Sequence, residues 1–394
     1  MKFDTLAVHA GAPRDTVGGA HPTAPPLVPA SSYWYDSADE LDRVLGDEQP
    51  GYSYARYASP TVVAFEEAVS ALEGASASVA FSSGMAAIHA TVRAFAPRAG
   101  GVIFASHDCY GGTFTLLANT LGNEGVTIRF VDVFDLAALS RQMADERPAA
   151  LLFEVVSNPL ERVADVQALS ALGKQHQVPL IVDSTFTTPC LVRPLALGAA
   201  AVVHSATKYL GGHGDVTGGV VACGDESLAA TLRTWRKYTG AVLGVMEAYL
   251  AVRGLRTLPL RMQRQCANAL ALATALAADG RIEQVYYPGL PSSADFQLAA
   301  RQFPDGLYGA VLALGIRDAD RARIMRFLES LKLIRAAPTL GDCYSLVLYP
   351  VIASHRGLTP AQRRDRGIED NVVRLSAGLE DPSDLIADLD QALG

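Results

Sequence analysis

The chain has 394 residues, 49% of them hydrophobic, and a formal net charge of −8 from 33 Lys and Arg against 41 Asp and Glu. At roughly 150 residues per domain that length holds two or three domains, with apolar material for a sizeable core. An acidic chain without basic blocks lacks the stripe that neutralises phosphates, so nucleic acid and anionic membrane are poor partners and small molecules are better ones. Five scattered cysteines (Cys109, Cys190, Cys223, Cys266, Cys343) show no CxxC pair and no zinc spacing, which reads as free thiols in a reducing cytoplasm with no metal site. Met1-Lys2-Phe3-Asp4 opens no apolar leader, and no run of about 18 apolar residues follows, so neither export nor a membrane span is expected.

In chain order, residues 1 to about 60 read as irregular, with Pro22, Pro25, Pro26 and Pro29 followed by an aromatic loop, Gly51-Tyr52-Ser53-Tyr54-Ala55-Arg56-Tyr57, that is too apolar for a plain linker. A helix is predicted after Ser59-Pro60-Thr61, ending at Gly74. Short apolar runs then alternate with helical patterns at 77–81, 101–105, 126–131, 149–155, 179–182, 200–204 and 219–222. Runs this continuous read as strands covered on both faces. Strands alternating with helices imply an α/β fold with a mostly parallel, doubly wound sheet, whose ligands sit beyond the carboxyl ends of the strands. From 241 through 278 the pattern is helical, it breaks at Tyr287-Pro288-Gly289, and a smaller α+β domain is expected after about residue 245.

Five polar groups stand just after those apolar runs. Only five of the 33 basic residues are lysines, and one of them, Lys208, follows Val202-Val203-His204 within Ser205-Ala206-Thr207-Lys208-Tyr209. Desolvation there lowers an amine's pKa and suits it to Schiff-base or general-base work; the alternative is a lysine whose head reaches solvent. Asp183 directly follows Leu180-Ile181-Val182, either facing a cation such as a protonated ring nitrogen or capping the turn at Ser184-Thr185. Ser82-Ser83-Gly84-Met85 joins a strand to a helix and could seat a phosphate, although many such turns look alike. Tyr110, in His107-Asp108-Cys109-Tyr110-Gly111-Gly112, could lie over a flat ligand or simply fill a loop. Asn158, in Glu154-Val155-Val156-Ser157-Asn158-Pro159, could donate to a ligand oxygen or make the turn before proline. Together they supply an amine, a carboxylate, a phosphate seat, an aromatic plate and an amide at one end of one sheet, which are the needs of pyridoxal 5'-phosphate. Ala80-Phe81-Ser82-Ser83-Gly84 also imitates a hydrolase nucleophile elbow, but that reading leaves Lys208 without a role.

The stretch 182–219, with Val-Asp-Ser-Thr-Phe-Thr-Thr-Pro and His-Ser-Ala-Thr-Lys-Tyr-Leu-Gly-Gly-His-Gly-Asp, resembles the Cys/Met-metabolism family of pyridoxal-phosphate enzymes. That family comprises the cystathionine γ-synthases, cystathionine γ-lyases, methionine γ-lyases and O-acylhomoserine sulfhydrylases. The likeness extends from Ala7-Val8-His9-Ala10-Gly11, through Tyr54-Ala55-Arg56 and Ser59-Pro60-Thr61, to Val373-Arg374-Leu375-Ser376-Ala377-Gly378-Leu379-Glu380-Asp381. It implies the fold of aspartate-aminotransferase-like, fold type I enzymes, with an arm over 1–60, a cofactor-binding domain over 61–245 and a small domain over 246–394.

The resemblance also implies roles. Lys208 matches the lysine that binds the cofactor covalently, Asp183 the partner of its ring nitrogen, and Tyr110 the ring stacked on it. Gly84, Met85, Ser205 and Thr207 match phosphate-binding positions, and Asn158 the position near the cofactor hydroxyl. Tyr54 and Arg56 match a pair that reaches the neighbouring subunit's phosphate, which implies a homo-oligomer, a tetramer built from dimers. Arg374 matches the clamp for the substrate carboxylate, its alternative being a surface pair with Asp370 or Glu380, and Thr339 falls beside the substrate. The implied reaction is γ-elimination from a sulfur-containing or γ-substituted amino acid, with Lys208, Tyr110 and Tyr54 as catalytic candidates; γ-replacement, as in the synthases, is the alternative. Gly112 stands where methionine γ-lyases carry cysteine and matches synthases and cystathionine lyases instead, while Pro338 departs from the glutamate of cystathionine γ-lyases and Ser59 from the usual asparagine.

Overall fold

The computed structural model describes residues 1–12, 19–96, 101–304, 306–353, 355–357, 359–364 and 366–394. The apolar runs form strands close to where the sequence puts them: β1 (Ala77–Phe81), β2 (Val102–Ser106), β3 (Thr127–Val131), β4 (Ala150–Glu154), β5 (Leu180–Asp183), β6 (Ala201–Ser205) and β7 (Gly219–Cys223). They join in the order β1-β7-β6-β5-β4-β2-β3, with β7 antiparallel to both neighbours and the pairs from β6 to β3 parallel. Alternate side chains of each strand enter different cores. Phe104, Phe153, Val182 and Val202 pack on one face, Ile103, Leu152, Ile181 and Val203 on the other, which is why these strands read as unbroken hydrophobic stretches.

The N-terminal 60 residues are less irregular than expected. Two short helices stand there, α1 (Phe3–His9) and α2 (Ala38–Leu45), the second capped by the Ser37 side chain, which accepts from the Glu40 amide. The helix predicted after Ser59 is α3 (Pro60–Glu73), with proline in its first turn and a left-handed glycine, Gly74, ending it. α4 (Gly84–Phe95) follows β1, and Ser83 caps it by accepting from the Ala86 amide.

The helical stretch expected over 241–278 is two helices, Val245–Leu255 and Leu258–Ala277. The chain turns at Arg256 and Thr257, and Pro259 lies in the first turn of the second helix, where its missing N–H costs nothing. Beyond it β8 (Ile282–Tyr286), β9 (Val311–Ile316), β10 (Arg335–Ala336), β11 (Leu346–Leu348) and β12 (Val372–Ser376) build a second sheet in the order β10-β11-β12-β9-β8. Its own core holds Leu312, Leu314, Val373 and Leu375. Among the described residues no helix is long and apolar enough to cross a membrane.

Candidate active site

All five groups singled out after the strands line one cavity of about 410 Å³: Lys208, Asp183, Tyr110, Asn158 and the turn that holds Ser83, Gly84 and Met85. Lys208 lies in a tight turn, Ala206–Leu210, directly after β6, with a non-helical backbone (φ −92°, ψ −131°) that interrupts the turn. Its Nζ donates to Thr339 Oγ1 at 2.7 Å. Burial and the nearby Arg374 cation push its pKa down to about 8, so the amine is not a solvated surface charge.

Asp183 ends β5, one strand over, and is half-buried at the same cavity. Burial raises its pKa, opposed by hydrogen bonds from Thr185 and by His204. Its Oδ1 accepts from the Thr185 amide at 3.0 Å, so the carboxylate caps the turn and lines the cavity at once. Of the two alternatives posed by the sequence, the turn cap is formed, and the carboxylate's place on the cavity wall leaves it able to face a ring nitrogen as well.

On β4, Glu154 stands in register with Asp183. Burial and the Asp183 charge raise its pKa well above the usual carboxylate range, and its Oε1 accepts from the Tyr110 amide at 2.6 Å. Tyr110 stands at the N-cap of α5 (Gly111–Thr115) and lies over Gly112: a Cβ at 112 would approach Tyr110 Cε1 to 2.5 Å. The missing side chain at 112 thus sets where the ring lies.

The phosphate candidates converge as well. Gly84 begins α4, and a Cβ there would come within 2.9 Å of Ser205 Cβ; a Cβ at Gly219 would reach Ser83 O at 2.2 Å. Ser205 donates its amide to Thr185 Oγ1, while Thr207 Oγ1 accepts from the Gly218 amide at 3.0 Å. A helix terminus with free amide groups, approached closely by glycine backbone and flanked by hydroxyls, is a seat for a phosphate.

Arg374 sits on β12 of the second sheet, 3% exposed, which excludes the surface pair with Asp370 or Glu380. Asp370 pairs instead with Arg363, and Glu380 accepts from Ser345. Arg374 Nη1 donates to Asn158 Oδ1 at 3.1 Å and Nη2 to Thr339 O at 3.0 Å, while its Nε is buried without a partner. Tyr54 and Arg56 do not join this group. Arg56 Nη1 donates to Lys237 O at 2.7 Å, with its guanidinium 5.3 Å from the Tyr54 ring centre and 5.2 Å from that of Tyr57.

Sequence reasoning missed Glu161. It is buried, in a left-handed conformation (φ 54°), with Oε1 unpartnered and burial raising its pKa well above normal against the pull of Arg374. It also passed over Glu154 as a support for Tyr110. The signal for both was a carboxylate beside an apolar run.

An amine of lowered pKa, a half-buried carboxylate, a helix-terminal phosphate seat and a tyrosine ring at the carboxyl ends of adjacent strands define a fold type I pyridoxal-phosphate enzyme. The donors fit that group, and the close approach at Gly84 and Gly219 leaves backbone rather than side chains around the phosphate seat. Residues 4–394 match the family described as Cys/Met metabolism PLP-dependent enzyme, and the chain belongs to it. It is 40% identical to an L-methionine gamma-lyase of Pseudomonas putida over 99% of this chain and 97% of that one. It is 38% identical to cystathionine gamma-synthase 1, chloroplastic, of Arabidopsis thaliana, over 99% of this chain and 68% of that one. Cystathionine gamma-lyase from Lactobacillus plantarum, solved complexed with L-serine, superposes with a TM-score of 0.91 at 35% identity, covering 100% of this chain and 98% of that one.

Proposed function

We propose that the protein is a carbon–sulfur lyase that performs γ-elimination on an L-amino acid bearing a sulfur-linked or otherwise γ-substituted side chain. The observation that carries this is the buried Lys208 amine of lowered pKa in one cavity with Arg374 and Asp183. When bound, pyridoxal phosphate supplies the electron sink for negative charge developing at the substrate Cα and Cβ. Arg374, held by Asn158 and Thr339 O, accepts the substrate carboxylate as a bidentate partner and fixes the Cα–H bond. Lys208 Nζ, once free, takes the Cα proton and carries it within the cavity, with Thr339 Oγ1 as its hydrogen-bond partner. Asp183 would keep a proton on the ring nitrogen, and Gly84, Met85, Ser205 and Thr207 would hold the phosphate. Tyr110, whose amide donates to Glu154 and whose ring lies over Gly112, would stack on the cofactor ring and assist departure of the γ-substituent.

Tyr54 and Arg56 complete the phosphate seat of a neighbouring subunit in this reading, with 1–60 as the exchanged arm, 61–245 as the cofactor domain and 246–394 as the small domain. Trp34, Tyr54, Tyr238 and Met246, each at least 44% exposed, support a buried subunit face. The assembly is then a homotetramer of dimers, working in the cytoplasm, where its five free thiols are stable.

γ-Replacement on an O-acylhomoserine is the second reading, and Gly112 beneath Tyr110 supports it against a methionine γ-lyase, because a side chain at 112 would run into the ring, but not against a cystathionine lyase. Incubating the holoenzyme with methionine, cystathionine, O-acetylhomoserine and O-succinylhomoserine, with and without a thiol, separates the two. A 2-oxo acid with ammonia is expected; thioether products alone would overturn the lyase assignment.

A further inference from the structure

Beside the Lys208 cavity lies a larger one of about 660 Å³, and Met85, Tyr110, Asn158 and Ala353 line both. The shared wall makes it the space open to the far end of a substrate whose α-carboxylate sits on Arg374. Arg366 lines this second cavity and not the first. Its Nη1 donates to Gln362 O at 2.9 Å, its Nε to His107 O at 3.4 Å, and its guanidinium lies 5.1 Å from the ring centre of Phe114, which itself stacks on Phe130. Carbonyls and a ring face orient the cation without neutralising it.

Among the described residues Arg366 forms no ion pair. Asp108, the one carboxylate among the described residues lining the cavity, has its close contacts elsewhere, with His107 Nδ1 at 3.4 Å and Arg162 Nη1 at 3.6 Å, and feels Arg366 only as the weakest of the charges acting on it. The local field is positive, as the neighbouring His355 registers: burial together with Arg374, Arg366 and Arg363 pushes its pKa down to about 4. A guanidinium held in place beside the substrate path, with donors to spare, is a receptor for a carboxylate.

We infer that Arg366 forms the subsite for an anionic group at the distal end of the substrate side chain. The physiological substrate is then an L-amino acid whose γ-substituent ends in a carboxylate, either an ester of homoserine with a dicarboxylic acid or a thioether to a second amino acid, and not one ending in a methyl group. This rests on the γ-substituted substrate proposed above, and the test keeps the two apart.

Binding is measured first with two amino acids that carry no γ leaving group, L-2-aminopimelate and L-2-aminooctanoate, through the change in cofactor absorption of the holoenzyme. The carboxylate-ended ligand should bind about tenfold tighter, as a charge-assisted pair near a cavity mouth provides. Arg366→Gln should erase that preference by weakening aminopimelate alone, and Arg366→Lys should keep part of it. Equal affinities in the wild type, or equal weakening of both ligands by Arg366→Gln, would overturn the subsite. Turnover of O-succinylhomoserine over O-acetylhomoserine, or of cystathionine over methionine, then tells which carboxylate source is used. If none of the four reacts, the γ reading falls while the aminopimelate comparison still decides the subsite.

Discussion

Lys208 and Glu161 both feel the Arg374 charge, and burial moves their titrations in opposite directions. For Lys208, burial and the cation both disfavour the ammonium, bringing the pKa to about 8. In the apoprotein the amine is therefore nucleophilic above that pH, and the rate at which it captures pyridoxal phosphate, read as borohydride-trapped label, should rise with pH to a midpoint near 8. Arg374→Leu should move that midpoint upward by removing the repulsion, while a rate indifferent to pH would contradict the burial of the amine. The linked stability has a definite sign. A depressed lysine contributes stability that is present above its unfolded pKa and lost as pH falls through about 8. Glu161 is the reverse case. Its raised pKa means that its contribution is full in acid and fades as pH rises through the folded value. Glu161→Gln keeps the shape without the charge, so in urea unfolding it should match the wild-type apoprotein in mild acid and exceed it by about 1 kcal/mol in mild alkali. A variant less stable at both ends would mean that the carboxylate is needed as a counter-ion for Arg374.

The elements that carry the site are the carboxyl ends of β4, β5 and β6 and the N-terminus of α4, and each delivers one polar group at the point where its buried stretch stops. Gly84→Ala tests the last of these. The added Cβ would meet Ser205 Cβ at 2.9 Å, so the α4 terminus or the end of β6 must move away from the phosphate seat. Apparent cofactor affinity, measured by equilibrium dialysis, should fall about tenfold, since the amide groups of a helix terminus act over one turn only. An unchanged affinity would place the phosphate elsewhere. These ends were legible in the sequence because a strand covered on both faces is an unbroken apolar run, and the residue after it is the first polar one. The split at Arg256 and Thr257 was not legible, because apolar spacing continues through it and only Pro259 marks the restart. Nor were α1 and α2, whose few turns give too little periodicity to separate from a loop. Arg366 left no signal at all, since its meaning depends on Phe114 and His107, some 250 residues earlier.

At the scale of the whole molecule the arm is the part that one protomer does not explain. Tyr54 and Arg56 do not line the cavity that Lys208 lines; Arg56 is held by Lys237 O between two tyrosine rings, and Trp34, Tyr54 and Tyr238 are exposed. A single chain that keeps such rings in water has a strong reason to cover them with a copy of itself, and a two-fold interface would carry each arm to the other site. Complementation checks this. Lys208→Ala removes the amine from its own site but leaves its arm intact, whereas Arg56→Ala leaves the amine and spoils the arm it lends. Each variant alone should be nearly inactive. Unfolded together and refolded, they should form mixed dimers in which the Arg56→Ala subunit's own lysine is served by the intact arm of its Lys208→Ala partner. Random pairing makes half the dimers mixed, each with one whole site, so activity should recover to roughly a quarter of the wild type. If the arm instead served its own subunit, no mixture would contain a whole site, and the refolded material would stay as inactive as either variant.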